Sequence, residues 1–156
     1  MNGKIVAGFI VIVAAIAGVA MYWLQEYAFY TEVAFTPGAE IMLTPLQGPP
    51  EPMAVADVRG IDADSSPLRF RACFDTPMQL DMLTESYQIY DKASPLNGPT
   101  WFGCFDAAAI GDALEKGEAV AFLSQANVVP DIDQVVAVYP DGRAYAWRQL
   151  NPKAEN

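Results

Sequence analysis

The sequence predicts an α+β protein: an N-terminal single transmembrane helix followed by a compact domain in which an antiparallel sheet packs against one or two short helices. Three observations carry that prediction. Ile5 to Leu24 is a run of twenty uncharged residues, and at ~1.5 Å rise per residue such a run crosses the ~30 Å hydrocarbon core of a bilayer. Beyond it, short runs alternate apolar and polar residues with the period of two that a strand requires. Two further stretches carry helix start and stop signals.

The apolar run begins after Lys4 and ends in Met21, Tyr22, Trp23 and Leu24. Two readings fit it. Ala15-Ile16-Ala17 and Gly18-Val19-Ala20 offer the small residues that signal peptidase needs, so secretion to the periplasm after cleavage is the alternative. Retention is favoured by the aromatic residues Tyr22, Trp23, Tyr27 and Tyr30, which suit the membrane–water interface. Orientation follows from charge. Lys4 precedes the helix, whereas all 19 acidic residues and only eight of the nine basic ones follow it, leaving the following part at −11. The positive-inside rule then places the N-terminus in the cytoplasm and the domain in the periplasm of a bacterial inner membrane. Ala14 and Gly18, four residues apart, form a small-xxx-small pair through which the lipid-embedded helix could self-associate or pack on a larger inner-membrane complex. The chain therefore divides into a cytoplasmic tip and anchor (1–24), an interfacial stalk (25–38) and an exported domain (39–156).

Gln25 to Phe35 reads as an amphipathic extension of the anchor, broken by Thr36-Pro37-Gly38. Glu40–Leu46 is apolar enough for a strand. Gln47–Pro52 has three prolines in four residues, a composition that opposes helix and ladder alike. Met53–Arg59 and Leu68–Phe74 read as a hairpin, the second strand setting Leu68, Phe70, Ala72 and Phe74 against Arg69, Arg71 and Cys73. Thr76-Pro77 starts a helix running to about Glu85, and Tyr87–Tyr90 follows as a short strand. Asp106–Lys116 is a run of strong helix formers ended by Gly117, and Glu118–Leu123 resumes as strand. Gln134–Tyr139 and Ala144–Arg148 flank the turn Pro140-Asp141-Gly142, which makes a second hairpin. About five strands are expected.

Cys73 and Cys104 are the two cysteines. An even count in an exported domain favours a disulfide; free buried thiols and a redox pair are the alternatives, the latter lacking the usual Cys-x-x-Cys. Each opens a Cys-Phe-Asp tripeptide leading into a predicted helix start.

Composition excludes several function classes. With no histidine, Ser-His-Asp, Cys-His and imidazole–metal chemistry are absent. A formal charge of −10 and the lack of any basic cluster oppose nucleic-acid binding. Asp62-x-Asp64 has a fragment of calcium-loop spacing, but Pro67 stands where the loop needs glycine and Cys73 where it needs glutamate. Met78 and Met82 could ligate Cu(I), yet at that spacing they suit a core stripe better. No phosphate loop or cofactor motif occurs, and no nucleophile, base and orienting group assemble into a catalytic set. No catalytic residue, cofactor or metal site is therefore assigned. Carboxylate catalysis, which needs only two acids in a cleft, stays open as an envelope-hydrolase alternative.

Aromatic and arginine side chains are the common anchors of protein interfaces. Arg69 and Arg71 on one strand face, Trp101 and Phe102 in the loop from Pro95, and Tyr145 and Trp147 on the last hairpin form the candidate interaction surface, with core packing as the competing use of the aromatics.

The segments MYWLQEYAFY, FRACFDTP, SPLNGPTWFGCFDAAAIGDAL and VVAVYPDGRAYAWRQLN resemble a family of small single-anchor alphaproteobacterial membrane proteins without an assigned function. Members sometimes carry a histidine-kinase label. The absence of a phosphoacceptor histidine and of glycine-rich nucleotide boxes contradicts that label here. The resemblance implies an inner-membrane, periplasm-facing setting and contributes no catalytic residues. Together these readings favour a non-enzymatic accessory, assembly or interaction module, with a ligand-sensing domain acting through a signalling partner as a further alternative.

Overall fold

The computed structural model describes residues 2–153. The first helix, α1 (Gly3–Trp23), has Asn2 as its N-cap, accepting from Lys4 N–H, and none of its residues is buried. It ends in a π-helical turn, Leu24–Ala28, and the chain then enters the sheet directly. Eight strands follow: β1 (Thr31–Glu32), β2 (Met42–Leu43), β3 (Glu51–Pro52), β4 (Ala56–Asp62), β5 (Arg71–Asp75), β6 (Val120–Val129), β7 (Ile132–Val138) and β8 (Arg143–Leu150). Two short helices, α2 (Leu80–Ser86) and α3 (Ala107–Lys116), lie between β5 and β6.

Six strands form one antiparallel sheet in the order β1-β4-β5-β8-β7-β6. The β6-β7-β8 meander follows from two tight turns, one at Asp131 (φ 66°) and one at Gly142 (φ 93°). At Gly142 a Cβ would stand 2.8 Å from the Thr76 carbonyl oxygen, which receives no such atom because glycine alone fits both that gap and the positive φ. β2 and β3 make a separate two-stranded ribbon. Hydrogen bonds from Thr44 N–H to Leu123 O, Leu123 N–H to Gln88 O and Tyr90 N–H to Ala121 O cover the outer edge of β6, so this long edge strand is not left open along its first half.

Alternation along the strands sends side chains to both faces of the sheet, and both faces are covered. Phe70, Ala72, Phe74, Phe122, Val136, Val138, Ala144 and Ala146 meet Leu83 of α2 and Ile41, Leu43 and Met53 of the leading segment. On the other face Cys73, Ala121, Val135, Ala137 and Trp147 meet Phe105 and the Ala107, Ile110 stripe of α3. β7, between β8 and β6, is buried at every position. This arrangement explains why its sequence, DQVVAV after Ile132, shows little polar alternation.

Several boundaries differ from the sequence reading, each for a local reason. The helical extension expected over Gln25–Phe35 stops at Ala28, because Thr31 and Glu32 pair with Asp62 and Ile61 of β4. Phe35 lies over Gly60, where a Cβ would come within 2.5 Å of its ring. The strand expected at 53–59 begins at Ala56 and continues to Asp62, with its register shifted between Ala56 and Arg59 around Asp57, whose φ is 52°. Leu68 and Arg69 belong to a 3-10 turn, Pro67–Arg69, capped by Ser66 Oγ. Thr76 does not cap α2. Its hydroxyl donates to Ala54 O and accepts from Met78 N–H, forming a turn, and α2 starts only at Leu80. The proline-rich connector does enter a ladder, because Met53 N–H, and not Pro52, supplies the bond to Ile41 O. Asp106, by contrast, caps α3 through Ala109 N–H, and Gly117 closes it at φ 71°.

Candidate functional site

The loop before α3 touches the π-helical turn that ends the N-terminal apolar helix. Thr100 donates its backbone N–H (2.8 Å) and its hydroxyl (2.9 Å) to the same carboxylate oxygen of Glu26, and Trp101 Nε1 donates to the Glu26 carbonyl. That carbonyl is one of those a helix end leaves without an intrahelical partner. Tyr30 stands edge-on to Trp101 with ring centroids 6.1 Å apart, and the Arg69 guanidinium lies over the Tyr30 ring at 5.2 Å. Trp101 continues edge-on to Phe102. Of the expected interface aromatics, Tyr22 and Tyr27 pack edge-on to each other and both remain exposed, as does Trp23.

Arg71 takes a different place from the one its strand pattern suggests. It is buried, 2% exposed, because the other face of β5 is roofed by the 94–105 loop. Its Nε donates to Leu96 O (2.6 Å), Nη1 to Leu68 O and Phe70 O, and Nη2 to Asn97 O (3.0 Å), while the guanidinium sits over the Phe105 ring at 5.6 Å. Burial pulls its pKa down to about 10. Trp147 is likewise removed from the surface: it is fully buried, edge-on to Phe105, with Nε1 donating to Gln149 Oε1 (3.0 Å). Gln149 also accepts from Ser94 N–H and donates to Lys92 O, so it pins the start of the same loop. Arg71 and Trp147 thus support the loop from beneath. Arg69, Trp101, Phe102 and Tyr145 keep some exposure.

The disulfide joins Cys73 of β5 to Cys104 at the loop's end, with Cα atoms 6.3 Å apart. Beside it opens a cleft of about 570 Å³ lined by Asp57, Arg59, Asp75, Arg143, Tyr145 and the cystine. Asp57 and Asp75 are exposed to solvent there. Arg143 is engaged at 2.7 Å by Asp141 and lies over Tyr139 at 4.7 Å. That pairing holds the Asp141 carboxyl below the usual carboxylate range and raises the Arg143 pKa. The buried carboxylate of Asp133 accepts from Asn127 N–H (2.9 Å) and Tyr90 OH (3.0 Å), so one oxygen serves the β6–β7 hairpin and the other ties the Tyr87–Tyr90 segment to β7. Among the described residues no three His, Cys, Asp or Glu side chains are grouped to hold a metal ion.

Residues 41–156 match the model of DUF6446, a family of unknown function. The chain belongs to the DUF6446 family. The match begins in the leading segment at Ile41 and takes in both cysteines and the 94–105 loop, whereas α1 and the stalk lie outside it. The DUF6446 region therefore takes in both the β2–β3 ribbon and every strand of the large sheet except β1, which the chain before Ile41 adds. No curated protein and no solved structure matches.

Sequence reasoning passed over Glu26 and Thr100. The available signal was position: Glu26 is the first acid after the apolar run, and a carboxylate with little access to water needs donors. Asp57 gave no signal, since its strained φ depends on the shifted register of β4.

Proposed function

We propose that this DUF6446 chain is a single-pass, membrane-anchored, non-enzymatic accessory module that holds its α+β domain on the periplasmic face of a bacterial inner membrane and docks there on a larger protein complex. One observation carries the reading: among the described residues none of α1 is buried, so bilayer lipid or a partner helix must cover its apolar surface. The charge step across the helix supports the orientation. A disulfide between Cys73 and Cys104 suits an oxidising compartment. The cleft carboxylates Asp57 and Asp75 are solvated and buried Asp133 is committed to Asn127 and Tyr90, which favours docking over hydrolysis.

The test is cross-linking in intact membranes followed by capture of the full-length chain from detergent. The proposal expects one membrane protein recovered in stoichiometric amount; recovery of the bait alone argues against it. Ligand sensing is the second reading, favoured by the 570 Å³ cleft beside the disulfide. A small molecule retained by the purified domain and lost with Tyr145→Ala would favour sensing over docking.

A further inference from the structure

The contact between Glu26 and the Thr100-Trp101 loop fixes where that loop lies relative to the bilayer. We propose that the loop at residues 95–102 is a second point of membrane contact, with the Trp101 ring seated in the lipid headgroup layer beside the anchor, so that the domain rests on the bilayer loop-side down. The proposal rests on the reading that α1 spans the membrane, and deepens it by naming the surface and the partner: the interfacial layer of the same bilayer.

Depth follows from helix geometry. With Ile5 to Leu24 filling the ~30 Å hydrocarbon core, Glu26 lies only ~3 Å beyond its edge. The carbonyl points away from the bilayer, and a hydrogen bond adds a further ~3 Å. Each interfacial layer is ~5–7 Å thick, so an indole nitrogen bonded to Glu26 O falls inside it. Tilt shortens this distance and cannot carry the indole out. Trp101 is 42% exposed, and Tyr27 and Phe29 at the same level are each 46% exposed. An amphipathic ring with one polar atom and a large apolar face is what that layer accommodates best.

The chemistry of Glu26 points the same way. An anion at this depth loses much of its hydration, and Thr100 replaces it with two donors on one oxygen. The loop therefore neutralises the polarity that would otherwise keep the stalk off the bilayer. Electrostatic attraction has no part in the contact: the exported part carries −11, so the relevant surface is zwitterionic lipid. The roof over Arg71, the disulfide and the Gln149 bonds hold the loop rigidly on the sheet, so seating Trp101 orients the whole domain.

The experiment uses the full chain reconstituted in phosphatidylcholine vesicles carrying bromine either near the top or near the end of the acyl chains. The tryptophans are Trp23, Trp101 and Trp147, and Trp147 is fully buried in the core. The fluorescence difference between Trp23→Phe and the double variant Trp23→Phe/Trp101→Phe isolates Trp101. We expect shallow bromine to quench that difference at least twofold more than deep bromine, unchanged by salt. Glu26→Ala should reduce the shallow quenching at least twofold while the Trp147 emission maximum, an internal check of folding, stays in place. Quenching by aqueous iodide with no effect of either lipid, or stronger quenching by deep than by shallow bromine, overturns the proposal. Trp23, read in Trp101→Phe, reports separately on the anchor: its loss of quenching defeats the spanning helix itself, whereas retained Trp23 quenching with an iodide-accessible Trp101 defeats only the second contact.

Discussion

Arg71 is a buried cation held by carbonyls. Its four hydrogen bonds reach Leu68, Phe70, Leu96 and Asn97, so one side chain joins the start of β5 to a loop 25 residues later. Removing it leaves several acceptors without donors in a dry setting, and Arg71→Ala should lower stability by about 2–4 kcal/mol in thermal or urea unfolding. Arg71→Lys should recover only part of this, because an ammonium cannot present the planar fork that reaches carbonyls in opposite directions. Tyr87 supplies a titration. Burial, followed by its 2.7 Å hydrogen bond to Glu51 Oε1, raises its pKa to about 12. A folded pKa above the unfolded one means stability fully present below ~10 and lost as pH rises through about 12. Arg71, lowered to about 10, acts with the opposite sign in the same window, so the comparison must be differential. Unfolding midpoints of the wild type should fall relative to Tyr87→Phe between pH 10 and 12; parallel pH profiles would contradict the assignment.

Elements differed in how far local sequence could place them. α3 was legible from end to end because its signals are local: Asp106 caps it, strong helix formers fill it and Gly117 stops it. The β7–β8 hairpin was legible for the same reason, the Pro140-Asp141-Gly142 turn and the alternation from Ala144 to Arg148 being local signals. β1 was not, since two residues, Thr31 and Glu32, carry no pattern of their own and become a strand only through β4. The early part of α2 failed because Thr76 found a better partner in Ala54 O than in a helix start, a tertiary bond that no local window contains. For the candidate surface, alternation correctly put Arg71 and Cys73 opposite Ala72 and Phe74, but it could not say that a loop closes over them. The cystine is the covalent part of that closure. It spans 31 residues, for which chain entropy assigns ~3–4 kcal/mol. Cys73→Ala/Cys104→Ala should lose about that much stability and should raise hydrogen exchange of amides 94–104 before those of β7, because the loop packs on the sheet while β7 is buried throughout.

At the scale of the whole molecule, charge, covalent chemistry and topology agree. A helix without a single acid precedes a part carrying every acid in the chain, and that part folds as a six-stranded antiparallel sheet covered on both faces. A closed domain of this kind needs nothing from α1 to complete its core, which leaves the helix free to serve another solvent. The link between the two is nonetheless short and bonded, through Glu26, Tyr30 and β1, so the domain sits against the end of the apolar helix instead of swinging from it. Membrane attachment with an exported domain is the central claim, and protease treatment of spheroplasts followed by alkaline carbonate extraction tests it directly. The account predicts that added protease removes the domain in spheroplasts with an intact inner membrane, and that the undigested chain stays in the carbonate-resistant pellet. A domain shielded from protease until the membrane is dissolved, or a chain released by carbonate, would contradict it.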